Sequence, residues 1–228
     1  MAILLHIDTA LEIASVALSI DERCIDEKTN TIQNDHAAWL HTAIEELLKN
    51  NSYEPRDLDA IAVTIGPGSY TGLRVGLSTA KGLCYALQKP LLTLSSLELL
   101  ASVVTIPKER AEAWLNPSVL ICPLIDARRM EVYYALYDQT LTQLVPPAAL
   151  VLDQNSFAET LHGKKIIFCG NATEKFKKVC PHPHAQYSAQ PAGAREMTPL
   201  AFKKYVKKEF ADLAYSAPLY IKEFETRK

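Results

Sequence analysis

Apolar residues occur in short runs separated by turn residues, and the spacing inside those runs changes along the chain. Ile3 to Ile7 reads as a buried strand. Ile13 to Ile20 reads as a second, with Val16, Leu18 and Ile20 alternating, and the more polar Cys24 to Ile32 as a weaker third. From about Ala37 to Lys49 the period becomes helical, with Leu40, Ile44, Leu47 and Leu48 at i, i+4, i+7 and i+8 and Asp35 placed to cap the start. Leu58 to Ile65 is the next strand, a glycine turn follows, and a helix runs from Leu73 to Leu87, closed by Pro90. Leu91 to Leu94 gives a strand, and Ser95-Ser96-Leu97-Glu98 opens a helix that fades before Pro107. The order βββ-α-β-α-β-α predicts an α/β lobe with a mixed sheet.

A second series begins after 107–118, a stretch of two prolines and mixed polarity that divides the chain into lobes at 1–106 and 107–228. Val119 to Ile125, Glu131 to Tyr137 and Leu141 to Val145 read as strands. Helix Ser156 to Leu161, strand Lys165 to Cys169 and helix Thr173 to Val179 follow. Residues 181–199, with four prolines, read as a long loop before a last helix from about Leu200 to Ala211 and an extended tail, Pro218 to Ile221. The repeated βββ-α-β-α opening suggests a duplication.

The totals narrow the class. At 228 residues, 48% apolar and 22% charged, the chain is an ordinary globular protein. The start, Met1 to Asp8, lacks the basic region of a signal peptide, and no apolar run approaches the roughly 18 residues of a membrane span. Five scattered cysteines without a CxxC pair fit a reducing compartment, so the cytoplasm is expected. Net charge is −2, yet residues 1–60 hold twelve acids against four bases, and residues 164–208 hold ten bases against two acids. Such asymmetry marks either an electrostatic face or solvated helices.

Four of the eight glycines lie in Gly66-Pro67-Gly68-Ser69-Tyr70-Thr71-Gly72-Leu73-Arg74-Val75-Gly76. A strand, a glycine turn and a helix in that order make an anion site in general, because free N–H groups at the helix start face whatever docks there. The Walker pattern fails here, since the first lysine is Lys81, on the helix. The dinucleotide pattern fits weakly, the spacing being GxGxxxG. Ser69 lacks the GxSxG frame of a hydrolase elbow; with Thr71, it is better placed to cap the helix. Asp8-Thr9, at a strand end, suits a magnesium water or a turn. His36 and His41 are about 140° apart on a helix and cannot share one ion, and the chelate Cys180, His182, His184 has no acidic companion, so no metal is expected. Gly72, Gly76 and Ala80 form a smooth stripe that permits close packing against a partner or the chain's own sheet.

IDT at 7–9, GPGSYTGLRVGLSTAKGL at 66–83, SSLE at 95–98, IDARRMEVYYALY at 125–137 and PLYIK at 218–222 resemble the TsaB (YeaZ) family, from end to end of the chain. The resemblance implies an actin/sugar-kinase/Hsp70-like (ASKHA, ribonuclease H-like) fold of two lobes with mixed five-stranded sheets, the last helix packing back on the first lobe. It implies a non-catalytic subunit of the bacterial machinery that makes tRNA threonylcarbamoyladenosine. Such a subunit forms a heterodimer with the catalytic TsaD, works with the ATPase TsaE, and meets tRNA through the complex. A homodimer of the isolated chain stays open.

On that footing Trp39, Leu40, Ile44, Gly72, Arg74, Gly76 and Ala80 are expected at the partner interface. Asp8, Thr9, Gly66, Gly68, Ser69 and Thr71 are expected as a phosphate motif reduced to a turn. In this superfold ATP requires glycine hairpins in both lobes, whereas Asp126-Ala127-Arg128-Arg129 contains no glycine and Cys169-Gly170-Asn171-Ala172 has one where a pair is expected. No cofactor is therefore expected, beyond a weak nucleotide or one at the interface. Lys203, Lys204, Lys207 and Lys208 are expected to share a helix face that touches tRNA. The rival readings are an ATP-dependent kinase or hydrolase of the same superfold and a metal-dependent peptidase.

Overall fold

The computed structural model describes residues 1–32, 35–104 and 119–222. The chain divides into two units, Met1–Leu99 with Ala192–Leu219, and Leu100–Pro191 with the residues from Tyr220. The boundary expected at 106/107 lies outside the described residues. A contiguous second lobe from 107 is not what forms, because Ala192–Leu219 belongs with the first unit.

In the first unit, β1 (Ile3–Asp8), β2 (Ala14–Ile20), β3 (Arg23–Asn30), β4 (Ala60–Gly66) and β5 (Leu91–Ser95) form a sheet in the order β3-β2-β1-β4-β5. β1 pairs antiparallel with β2 and parallel with β4, and β4 runs parallel to β5. Helices α1 (His36–Asn50) and α2 (Tyr70–Leu87) pack on this sheet. β1 shows no alternation of apolar and polar positions because both of its faces are covered, and all six residues are buried. Its neighbours in the core include Leu40, Ile44 and Leu47 of α1 and Leu77 and Ala80 of α2. Each fully buried leucine contributes roughly 1.5–3 kcal/mol, so the stripe on α1 fixes its docking. Asp35 stands at the N-cap of α1 but makes no side-chain cap, which corrects its expected role. A short helix, α3 (Ser96–Ser102), follows β5.

The second unit holds β6 (Val119–Asp126), β7 (Glu131–Tyr137), β8 (Gln143–Val151), α4 (Ala158–Gly163), β9 (Lys165–Cys169), α5 (Thr173–Val179) and β10 (Ala185–Ser188). Its sheet order, β10-β9-β6-β7-β8, repeats the first with the same parallel and antiparallel senses. β10 lies inside the stretch read as a loop. It is four residues long, at a sheet edge and preceded by Pro181 and Pro183, so period and length both hide it. The core here is aromatic, with Phe168 and Phe176 at 4.5 Å between ring centroids and Phe157 edge-on to both.

The last helix, α6 (Thr198–Val206), touches β1, β3 and β5 of the first unit. It ends five residues before the expected Ala211. Lys208 takes a left-handed conformation, φ 57°, while its N–H donates to Tyr205 O at 3.0 Å and that of Glu209 to Lys204 O at 2.9 Å. Paired bonds of this kind terminate a helix, usually on glycine.

His6 points from β1 into a fully buried site, where Nε2 lies 2.8 Å from Ser19 Oγ. The Ser19 hydroxyl donates to Asp21 O, so it accepts from Nε2–H, and Nδ1 is buried without a partner among the described residues. Burial pushes the imidazole down from 6.5 to about 3. Below pH 6.5 the unfolded chain takes up this proton and the folded chain does not, so stability is full above 6.5 and falls as pH drops toward 3. The slope for one proton is about 1.4 kcal/mol per pH unit. Asp8, whose carboxyl burial raises, opposes the loss at the acid end. Urea unfolding at pH 7 and pH 5 should therefore show a drop of about 2 kcal/mol that His6→Gln removes; an equal drop in the variant would refute the assignment.

Candidate functional site

The glycine segment closes on the end of β1. Ser69 N–H donates to Ala10 O at 2.7 Å, and Thr9 Oγ1 donates to Gly72 O at 2.7 Å. The Ser69 hydroxyl accepts from Gly72 N–H at 3.2 Å, the capping role expected of it, and α2 starts three residues earlier than the apolar period indicates. A Cβ on Gly68 would stand 2.2 Å from Ala10 O, one on Gly72 2.1 Å from Thr9 O, and one on Gly76 2.3 Å from Thr9 Oγ1. These glycines exist because backbone and the Thr9 hydroxyl occupy the room a side chain would need.

Two further contacts seal the turn. Leu219 N–H donates to Ile65 O at 2.7 Å, and Leu219 O lies 3.0 Å from where a Cβ on Gly66 (φ 113°) would be. Lys81, the first lysine after the turn, donates to Ala214 O at 3.1 Å and Ser216 O at 3.2 Å, so it ties down the tail. Asp8 is 3% exposed, and its Oδ1 accepts from Thr64 Oγ1 at 2.6 Å and Ala10 N–H at 3.1 Å. Burial raises its carboxyl, partly countered by those two hydrogen bonds. Asp8, Thr9, Gly66, Gly68 and Ser69 thus meet in one place, where Ala10 O takes the Ser69 amide and the Ser69 hydroxyl takes that of Gly72. Thr71 stands apart, exposed on the first turn of α2.

The residues expected to face a partner mostly do not. Leu40, Ile44, Gly72, Gly76 and Ala80 are buried in their own unit, and Trp39 is half-buried against the same core. Only Arg74 of the seven is exposed, with its guanidinium 4.0 Å above the Tyr70 ring. The correction follows from helix phase, because the stripe that seats α2 on β1 cannot also face outward. The outer face of α2 instead carries Thr71, Arg74, Ser78, Gly82, Tyr85 and Ala86. Tyr85 is 72% exposed, and a Cβ on Gly82 would meet nothing within 4 Å. Ser78, Gly82 and Ala86 repeat the i, i+4, i+8 spacing of the inner stripe, a signal the sequence already held. Beside them an apolar groove of about 420 Å³ is lined by Ile44, Leu48, Tyr53, Leu58 and Leu83, with His41 and Glu45 at its polar rim.

The lysines do not share a helix face. Lys203 and Lys204 are on α6, Lys207 caps it, and Lys208 lies past it in the left-handed turn. The structure adds His162 to His182 and His184, with ring centroids 6.1 Å and 5.4 Å apart. Among the described residues no group of three or more His, Cys, Asp or Glu side chains is placed to hold a metal ion. All five cysteines are free. No helix among the described residues is long and apolar enough to cross a membrane.

The family described as TsaD, tRNA N6-adenosine threonylcarbamoyltransferase, matches residues 29–225. The tRNA threonylcarbamoyladenosine biosynthesis protein TsaB of Bacillus subtilis is 33% identical over 181 residues, 77% of this chain and 74% of that protein. The chain belongs to this family, and within it to TsaB. The Escherichia coli TsaB is 31% identical over 60% of this chain and 55% of its own length. The solved structure of YeaZ from Pseudomonas aeruginosa superposes with a TM-score of 0.77 at 26% identity, covering 96% of this chain and all of that one. The ASKHA-like fold and the membership in TsaB therefore stand on sequence and structure together.

The three α2 glycines separate by environment. Gly76→Ala should lower unfolding free energy by about 1–3 kcal/mol through overpacking on Thr9, whereas Gly82→Ala should raise it by about 0.5–1 kcal/mol through helix propensity. Urea titrations of the two variants check this, and a neutral Gly76→Ala would contradict the packing described.

Proposed function

We propose that the chain is the non-catalytic subunit of an assembly that forms threonylcarbamoyladenosine in tRNA, and that it binds a TsaD-type transferase through the outer face of α2 and the adjoining part of α1. The relatives' names supply the pathway. The observation that supports the role is the glycine turn packed against Thr9, Ala10 and Leu219 of the same chain; in this reading those contacts stand where the superfold would bind phosphate. A protein whose phosphate loop is spent on its own chain acts through surfaces.

Gly82 supports the choice of surface. A glycine inside a helix costs up to about 1 kcal/mol relative to alanine. Contact with Thr9 accounts for Gly72 and Gly76, but nothing among the described residues accounts for Gly82. With Ser78 and Ala86 it allows a second helix backbone to approach closely, and the groove beside α1 receives apolar side chains. In this reading the assembly works in the cytoplasm with a TsaE-type ATPase, tRNA reaches the chain through the complex, and any nucleotide lies at the interface rather than in the turn. A homodimer of the isolated chain would use the same face of α2.

Co-expression with the TsaD-type protein of the same organism, followed by mass measurement on size exclusion, should give a one-to-one heterodimer. Gly82→Leu should abolish it while the variant stays folded. Wild-type association by folded Gly82→Leu would rule out this surface. ATP turnover by the purified chain that Asp8→Ala abolishes would instead establish the kinase or hydrolase reading.

A further inference from the structure

The β6–β7 hairpin holds two consecutive arginines in a backbone conformation that L residues rarely adopt. Arg128 has φ 71° and Arg129 φ 49°, positions where glycine or asparagine is usual. Ala127 N–H donates to Glu131 O and Glu131 N–H to Arg128 O, both at 3.1 Å, so the turn is closed. Arg128, Arg129 and Met130 are all exposed. Turn chemistry alone gives no reason to place arginine at either position.

The acids at the base of this hairpin are already engaged. Asp126 Oδ1 accepts from Lys175 Nζ at 2.7 Å and from Arg128 N–H at 2.6 Å. Glu131 Oε1 lies 2.6 Å from Lys222 Nζ. Lys175 also donates to Glu131 O at 3.2 Å. Among the described residues no acid pairs with the guanidinium of Arg128 or Arg129. The patch therefore carries Arg128, Arg129, Lys175 and Lys222 against two neutralised carboxylates, on a chain whose net charge is −2.

We propose that this hairpin tip is an RNA contact in which Arg128 and Arg129 hold the phosphate backbone of the tRNA. The inference rests on the function proposed above, which brings a polyphosphate into the assembly. Planar guanidiniums pair phosphate oxygens two at a time, and lysines behind them add unspecific charge. The disfavoured backbone fits that use, since it holds both arginines exposed at the tip of the hairpin. An acidic protein segment would satisfy the same groups and is the alternative the test separates.

The test uses the chain assembled with its TsaD-type partner and a labelled tRNA transcript, titrated over a range of salt. Arg128→Gly/Arg129→Gly suits the left-handed backbone and should leave the unfolding midpoint at or above wild type. It should weaken tRNA binding on the order of tenfold near 0.1 M salt and lower the slope of log K against log salt by about 1.5. Arg128→Lys/Arg129→Lys should keep most of both. Wild-type affinity and slope in the glycine variant would overturn the proposal, and so would loss of the heterodimer on size exclusion, which would make the hairpin a protein contact. A wild-type assembly that binds no tRNA would remove this proposal together with the function it rests on, a different outcome from a bound wild type and an unaffected variant.

Discussion

The contact between α2 and the end of β1 governs the first unit. Thr9 and Ala10 reach the helix and its turn through a hydroxyl and two carbonyls, and these meet Gly68, Gly72 and Gly76 at distances no side chain would tolerate. This contact sets the rotation of α2, which in turn decides that Leu77 and Ala80 go inward and Ser78, Gly82 and Tyr85 go outward. One packing choice thus accounts for the core, the outer surface and the closed turn.

The second unit repeats the arrangement with different means. Gly170, at φ 98°, brings the turn after β9 against Leu124 O at the end of β6, where a Cβ would stand at 2.4 Å, much as Gly68 meets Ala10 O. The sheets share order and strand sense, yet the cores differ, aliphatic in the first unit and aromatic in the second. Duplication of topology therefore survives without duplication of side chains. Strand order depends on backbone pairing and crossover handedness, whereas a core needs only matching volume.

Much of this was legible in the residues. Four strands of the first unit follow from apolar runs, the polar β3 was legible more weakly, all but one strand of the second unit were read, and the glycine segment located the contact that matters. What escaped has physical causes. β10 is short, half-buried and flanked by prolines, so neither period nor length announces it. The ends of α1 and α2 fall within a residue of the expected Lys49 and Leu87, but α6 stops at Val206, ahead of Lys208, left-handed without being glycine, and tertiary context rather than propensity places that end. Spacing identified a smooth stripe on α2 but could not say which of two stripes, Gly72-Gly76-Ala80 or Ser78-Gly82-Ala86, faces the sheet. Only the position of Thr9 decides that.

The return of Ala192–Leu219 to the first unit bears on synthesis. A nascent chain that has released Leu99 from the ribosome possesses all five strands of the first sheet but neither α6, which covers β1 and β5, nor the segment that bonds Leu91 O and Ile65 O. The first unit stays unfinished until Ala192–Leu219 emerge, while the residues between can complete their own sheet in the meantime. The order of maturation is then inside-out with respect to the sequence, and a truncation that removes Ala192–Leu219 injures the earlier-made unit first.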